Sequence, residues 1–149
     1  MSNGKILLIL VLLSAIQFAA NVTECMVISS SGAWDMMNNL IGAPNFVDFT
    51  ANLACVILDS DNITLDCNGY TITNNGTPGT TYGISSTDHK NLTIRNCPGI
   101  SLYYVGIRFS GVNDSVIQNT TTFDNVWYGQ QITWASPANG SNRNIIRNN

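Results

Sequence analysis

Tyr82-Gly83-Ile84, Val105-Gly106-Ile107 and Tyr128-Gly129-Gln130 lie 23 residues apart, twice. A second word keeps the same step: Ile94-Arg95-Asn96 is followed 23 residues later by Ile117-Gln118-Asn119. Leu65-Asp66-Cys67 precedes Ile94 by 29 residues, and Ile146-Arg147-Asn148 follows Ile117 by 29. The surplus falls where turn formers cluster, in Asn74-Asn-Gly-Thr-Pro-Gly-Thr80 and Ala135-Ser-Pro-Ala-Asn-Gly-Ser141. The period is 23, with insertions confined to loops, which is the signature of a repeat architecture.

Within each unit the apolar residues alternate. Ile63, Leu65 and Cys67 share one face, with Thr64 and Asp66 on the other. Leu92, Ile94 and Asn96 repeat the inward set, as do Ser115, Ile117 and Asn119, while Thr93, Arg95, Val116 and Gln118 point outward. Period two means strand. Strands this short cannot each bury a face alone, but stacked units cover one another. The expected fold is all-β: a right-handed parallel β-helix of about 23 residues per coil. Its rise is about 4.8 Å per coil, and its hand follows because parallel crossovers are right-handed in about 98% of cases.

Composition agrees. Asn, Thr, Ser and Gly make up 59 of the 149 residues and are mediocre or poor helix formers. A hydrophobic share of 44% argues against disorder, and the length suits one domain. With a net charge of -3 and no basic patch, nucleic acid is not an expected partner.

Lys5, the apolar run Ile6–Ile16 and the small pair Ala19-Ala20 read as a secretory signal peptide over residues 1–20. The run is too short to span a bilayer, which takes about 20 apolar residues. Membrane association is expected only through this segment, and the mature chain is placed outside the cell or on its surface. An exported chain keeps disulfides. Cys25, Cys55, Cys67 and Cys97 allow three pairings, among which spacing alone does not choose. Sequons begin at Asn21, Asn62, Asn75, Asn91, Asn113, Asn119 and Asn139, so a glycoprotein is a further expectation. With one histidine and no Cys-x-x-Cys, neither a metal nor a cofactor is expected.

The run Cys55-Val-Ile-Leu-Asp-Ser-Asp-Asn-Ile-Thr-Leu-Asp-Cys-Asn-Gly-Tyr-Thr-Ile-Thr73, followed by Tyr82-Gly-Ile84 and Asn91-Leu-Thr-Ile-Arg-Asn-Cys97, resembles exported β-helix repeat proteins. These are the NosD-type proteins and other members of the carbohydrate-binding and sugar-hydrolase β-helix group. The resemblance covers residues 55–149, with residues 21–54 as an N-terminal lead-in or cap. It implies the fold and leaves function open, because lyases, hydrolases, epimerases and adhesins share that fold.

Stacking assigns columns. Asn96, Asn119 and Asn148 share one inward turn position, expected to form a buried amide ladder with Cys67 in the matching place one coil earlier. Asp66, Arg95, Gln118 and Arg147 form an outward column, in which Asp66 and Arg95 are neighbours; Arg95 and Arg147 are also candidates for a sugar-carboxylate site. Cys67 and Cys97 are one place out of alignment in adjacent coils, an offset that a disulfide tolerates, and Cys25 with Cys55 would then close the cap; two buried free thiols are the alternative.

Tyr103, Tyr104, Trp127, Tyr128 and Trp134 crowd a short stretch, and Tyr104 and Trp127 are 23 apart. Exposed, they make a flat platform for sugar rings; buried, they are corner packing. Sugar hydrolysis usually needs two carboxyl groups about 5–9.5 Å apart. The outward positions Ser85, Arg108, Gln131, Thr87, Ser110 and Thr133 carry none. Asp88 and Asp114 are the one plausible pair in the turns, Asp59 and Asp61 read as turn residues, and His89 stands alone, so no catalytic residue is assigned. The expectation is a carbohydrate-binding or adhesive surface module with glycan or cell-surface partners. A polysaccharide-active enzyme is the first alternative. A periplasmic copper-accessory protein, implied only by the NosD-type resemblance, is the second; one histidine in the chain weighs against it, although Met26, Met36 and Met37 sit near Cys25. The chain stops at Arg147-Asn148-Asn149, directly after a repeat word, which reads as a truncated solenoid or as an edge capped by self-association.

Overall fold

The structure, a computed structural model, describes residues 19–47, 51–135 and 140–149. Every element is a strand: β1 (Ala20–Val22), β2 (Val27–Ile28), β3 (Gly32–Met36), β4 (Leu40–Ile41), β5 (Asn45–Phe46), β6 (Leu53–Leu58) and β7 (Ile63–Asp66). They continue as β8 (Ile72–Thr73), β9 (Thr81–Thr87), β10 (Thr93–Ser101), β11 (Val105–Ser110), β12 (Val116–Phe123), β13 (Tyr128–Thr133) and β14 (Ile145–Arg147). One 8-stranded sheet runs β1-β3-β7-β10-β12-β14, with β8 pairing β10 and β4. A 6-stranded sheet runs β13-β11-β9-β6-β2, with β5 on β6. All pairings are parallel except β5 on β6, so from β9 onward the chain passes alternately through the two sheets without reversing. The predicted leader lies almost wholly outside the described residues; Ala20, its last residue, opens β1 opposite Trp34. Asn139 also lies outside them.

The register follows the repeat. Ile84 pairs with Ile107 and Ile107 with Gln130; Leu65, Ile94, Ile117 and Ile146 form one file across four strands. Residues 23 apart are therefore neighbours, and the 29-residue steps pair equally well because the surplus sits between strands. Leu65, Ile84, Ile94, Ile107 and Ile117 point into one continuous core with Val56, Leu58, Ile63 and Phe109. The lead-in joins the same sheets, β3 on β7 and β2 on β6, and contributes Ile28, Met36 and Leu40 to that core.

The glycine in each Tyr-Gly-Ile word has a steric cause. A Cβ on Gly83 would lie 2.6 Å from the carbonyl oxygen of Gly106, and one on Gly106 would lie 2.5 Å from that of Gly129. The three glycines are stacked so closely that only hydrogen fits between them. Alternation also breaks there. Ile84 and Ile107 enter the core, whereas Tyr82 and Val105 join a second apolar cluster with Val47 and Ala54, against which Ile57 and Tyr104 pack.

The Asn content has a backbone cause as well. Asn62, Asn91, Asp114 and Arg143 take φ of 59, 57, 54 and 55°, and Asn68, Asn96, Asn119 and Asn148 take 49, 58, 50 and 53°. These are corner residues in the left-handed region, which Asn and Asp tolerate better than other non-glycine residues. This corrects the inward placement of Asn96, Asn119 and Asn148. Asn96 is half-buried, while Asn119 and Asn148 are exposed, because a left-handed residue turns its side chain off the strand's alternation. One rung survives at the surface, where Asn119 Nδ2 donates to Asn96 Oδ1 at 3.3 Å. The next residue points inward instead: Cys97 and Thr120, which pair, are both buried.

Both disulfides take the expected pairing. Cys25–Cys55 and Cys67–Cys97 have Cα separations of 4.5 and 4.8 Å, and each spans 30 residues, tying one passage of the chain to the next.

Candidate functional site

The aromatic stretch divides. The Tyr103 ring is fully buried and its hydroxyl donates to the Gly42 carbonyl at 2.8 Å, so it is a core residue; burial pushes its phenol well above the ordinary value. It leaves the predicted platform. Trp134 lies past the far end of β13, six residues from Tyr128, or about 20 Å along the strand. It is exposed but belongs to a different place. The three remaining rings touch: Tyr104 and Trp127 have centroids 5.1 Å apart at 31°, and Trp127 and Tyr128 5.5 Å apart at 58°. Trp127 is 63% exposed and Tyr128 47%, which leaves ring area open to solvent. Backbone bonds from Val126 N–H to the Tyr103 carbonyl and from Trp127 N–H to the Tyr104 carbonyl set this corner, so the stacking follows from register.

The register of the 6-stranded sheet leads from the platform to buried residues. Tyr82, Val105 and Tyr128 are register neighbours. The Arg108 guanidinium lies 5.3 Å from the centroid of Tyr82, and its Nη1 donates to Thr87 Oγ1 at 3.4 Å. Beside Arg108 in the register is Ser85, which is fully buried and whose hydroxyl has no hydrogen-bond partner. Ser85 and Ser110 are thus buried rather than displayed outward; Ser110 Oγ donates to the Trp134 carbonyl at 3.3 Å.

The outward column Asp66, Arg95, Gln118, Arg147 lies in register. Asp66, only 6% exposed, is held by Arg95 Nε at 2.6 Å, by Asn96 Nδ2 at 3.0 Å and by the Asn68 backbone N–H at 2.9 Å. Burial opposes its charge, but these three donors together hold the carboxyl below its ordinary value. Arg147 donates to Gln118 Oε1 at 2.8 Å. Both guanidiniums proposed for a sugar carboxylate are therefore already engaged within the column.

Asp88 and Asp114 do not face each other. Asp88 lies beside Gly111, whereas Asp114 follows Asn113, the bridge partner of Lys90, and is gripped by Arg143, whose hydrogen bonds hold its carboxyl below the ordinary value. His89 is not alone. Nδ1 is 3.3 Å from Asp61 Oδ1 and Nε2 3.4 Å from Asp59 Oδ1, with Lys90 Nζ 4.0 Å from Asp61. The signal for this cluster was present in the 29-residue step, which brings His89 opposite Ser60, between the two aspartates. Cys25 is consumed by its disulfide and Met36 is buried in the core, so the sulfur cluster near Cys25 does not assemble as a thiolate-thioether set. Among the described residues no group of three or more His, Cys, Asp and Glu side chains converges as metal ligands, and no helix is long and apolar enough to cross a membrane.

The two disulfides are compatible with an oxidising, extracellular environment. Comparison of the chain with known protein families, curated proteins and solved structures gives no match.

Proposed function

We propose that the chain is an exported or cell-surface right-handed parallel β-helix module, kin to the NosD-type and sugar-hydrolase β-helix group, that binds carbohydrate through Tyr104, Trp127 and Tyr128. The observation that carries this reading is the exposed Trp127 ring, stacked on Tyr104 and flanked by Tyr128. Aromatic faces of this kind take the C–H faces of sugar rings by apolar contact while their edges stay wet. The wound architecture is supported by the alternation of the chain between two parallel sheets at a 23-residue step. Export is supported by the disulfides. An adhesive role would use the same face against a cell-surface glycan.

The enzyme reading has less support. Both ring nitrogens of His89 face carboxylates, which leaves neither free to serve as a base toward a sugar. A glycan array probed with wild type and Trp127→Ala tests the binding reading. Wild-type signal lost in the variant supports it; equal signals, or none, overturn it.

A further inference from the structure

We propose that Asn75 is the residue, among the sequons the structure describes, that receives an N-linked glycan during export, and that the sequons at Asn62, Asn91, Asn113 and Asn119 exist for corner geometry instead. This rests on the export part of the proposed function and is independent of the aromatic platform.

The corner sequons are committed to the fold. Asn62 and Asn91 hold left-handed φ of 59 and 57° just ahead of β7 and β10, and Asn91 Nδ2 donates to Asn62 Oδ1 at 3.0 Å. Thr64 and Thr93, which complete these two sequons, are register partners inside the 8-stranded sheet. Asn119 lies within β12 at φ 50°, and its Nδ2 donates to Asn96 Oδ1 at 3.3 Å. Asn113 Nδ2 donates to the Gly111 carbonyl at 3.1 Å, and its Oδ1 accepts the Asn142 backbone N–H at 2.8 Å. Ser115, the hydroxyl residue of that sequon, is buried and accepts the Leu92 N–H at 2.9 Å. Asn21 is also held in a strand, in register with Asp35. A transferase must grip three consecutive residues of a sequon, which at these places means lifting them out of hydrogen bonds to the neighbouring passage of the chain.

Asn75-Gly76-Thr77 is placed differently. It falls in the surplus of the 29-residue step, between β8 and β9, and none of its residues belongs to a strand. The loop is tied at its two ends, where the Asn74 N–H donates to the Ser101 carbonyl and the Thr80 carbonyl accepts from the Leu53 N–H, both at 3.1 Å. Between those ties Asn75 and Gly76 are exposed and Thr77 is half-buried. A Cβ added at Gly76 or at Gly79 would meet nothing within 4 Å, so the space around the loop is open. Thr77 Oγ1 donates to Asn75 Oδ1 at 2.8 Å. The amide and the hydroxyl that define a sequon are thus already together on a surface loop, the usual place of such a modification. In the transfer, Asn75 Nδ2 attacks the anomeric carbon of a lipid-pyrophosphate-linked oligosaccharide. The N–C bond forms as the C–O bond to the pyrophosphate breaks, the pyrophosphate leaves with the electron pair, and a base of the transferase takes one amide proton.

The test has two arms on the full chain. In the first, purified folded chain and reduced, alkylated chain are each incubated with a single-subunit oligosaccharyltransferase and its lipid-linked donor, and occupancy is followed by peptide mass spectrometry. In the folded chain Asn75 is expected to be modified at least about tenfold faster than Asn62, Asn91, Asn113 or Asn119, because strand and corner residues must first open locally. Unfolding should erase the difference. Thr77→Ala should abolish transfer to Asn75 and Thr77→Ser should restore it. In the second arm the chain is expressed in insect cells and the secreted protein is mapped in the same way; Asn75 is expected to carry the glycan. Transfer to folded Asn75 no faster than to Asn91 overturns the inference. Secreted protein with Asn75 bare also overturns it and leaves export standing, whereas fast transfer in the first arm with no secreted protein in the second overturns the export reading.

Discussion

Gly106→Ala probes the stacking on which the architecture depends. The new methyl would lie 2.5 Å from the Gly129 carbonyl oxygen, 2.9 Å from Asn125 Nδ2 and 3.2 Å from Thr122 Cγ2. A relaxed C···O contact is about 3.3–3.6 Å, so β11 and β13 must separate there by nearly an ångström. The obstructing atom is backbone, fixed by the hydrogen bonds of the sheet, and has no rotamer to escape into. Overpacking of this kind costs about 1–3 kcal/mol. The entropy that alanine removes from the unfolded chain returns about 0.4–1 kcal/mol. The net is a destabilisation of about 1.3 kcal/mol, or about 3–5 °C in melting temperature for a chain of this size. Thermal unfolding followed by tryptophan fluorescence reads it directly. Gly140→Ala is the control, because among the described residues its methyl would first meet the Asn142 side chain, at 3.3 Å, and it should change stability by less than about 0.5 kcal/mol. If Gly106→Ala melts at or above the wild-type temperature while Gly140→Ala is neutral, the close stacking of Gly83, Gly106 and Gly129 is wrong.

Three further outcomes are expected. Replacing Cys67 and Cys97 together by serine opens a loop closed over 30 residues; chain entropy puts the loss at roughly 3.5 kcal/mol, and urea unfolding of the variant at the wild-type midpoint would refute it. Asp66 has a carboxyl pKa below its ordinary value of 3.8 when folded, so its contribution is present above that value and is lost as pH falls through the folded pKa. Asp66→Asn should lower stability at neutral pH by about 1–2 kcal/mol, less than a fully buried pair because Arg95 is partly exposed, and should flatten the acid limb of a melting-temperature profile; an unchanged limb contradicts this. Tyr103→Phe leaves the buried Gly42 carbonyl without its 2.8 Å donor and should cost about 1–3 kcal/mol by chemical denaturation, with no change in glycan binding, since that ring belongs to the core.

The repeat strands and their pairing were legible because a repeat converts tertiary contact into sequence distance. Once residues 23 apart are neighbours, Ile84 must meet Ile107, and Cys67 must lie one place from Cys97. The 29-residue step would also have placed His89 between Asp59 and Asp61. What periodicity could not supply was the direction of side chains wherever the backbone leaves the strand. Asn96 and Asn119 continue the inward parity on paper, yet a left-handed φ turns them to the surface. Tyr103 and Tyr104 are adjacent in sequence, but one hydroxyl reaches Gly42, 61 residues away, while the other ring stacks on Trp127. Ser85 looked outward by alternation and is buried next to Arg108. Sequence by itself determined which of the repeat strands from Ile63 onward pair and in what register, because hydrophobic alternation and a fixed step admit one alignment there. Only the tertiary structure decided which corner side chains meet solvent, because that depends on single φ angles and on what the neighbouring passage of the chain lays over them.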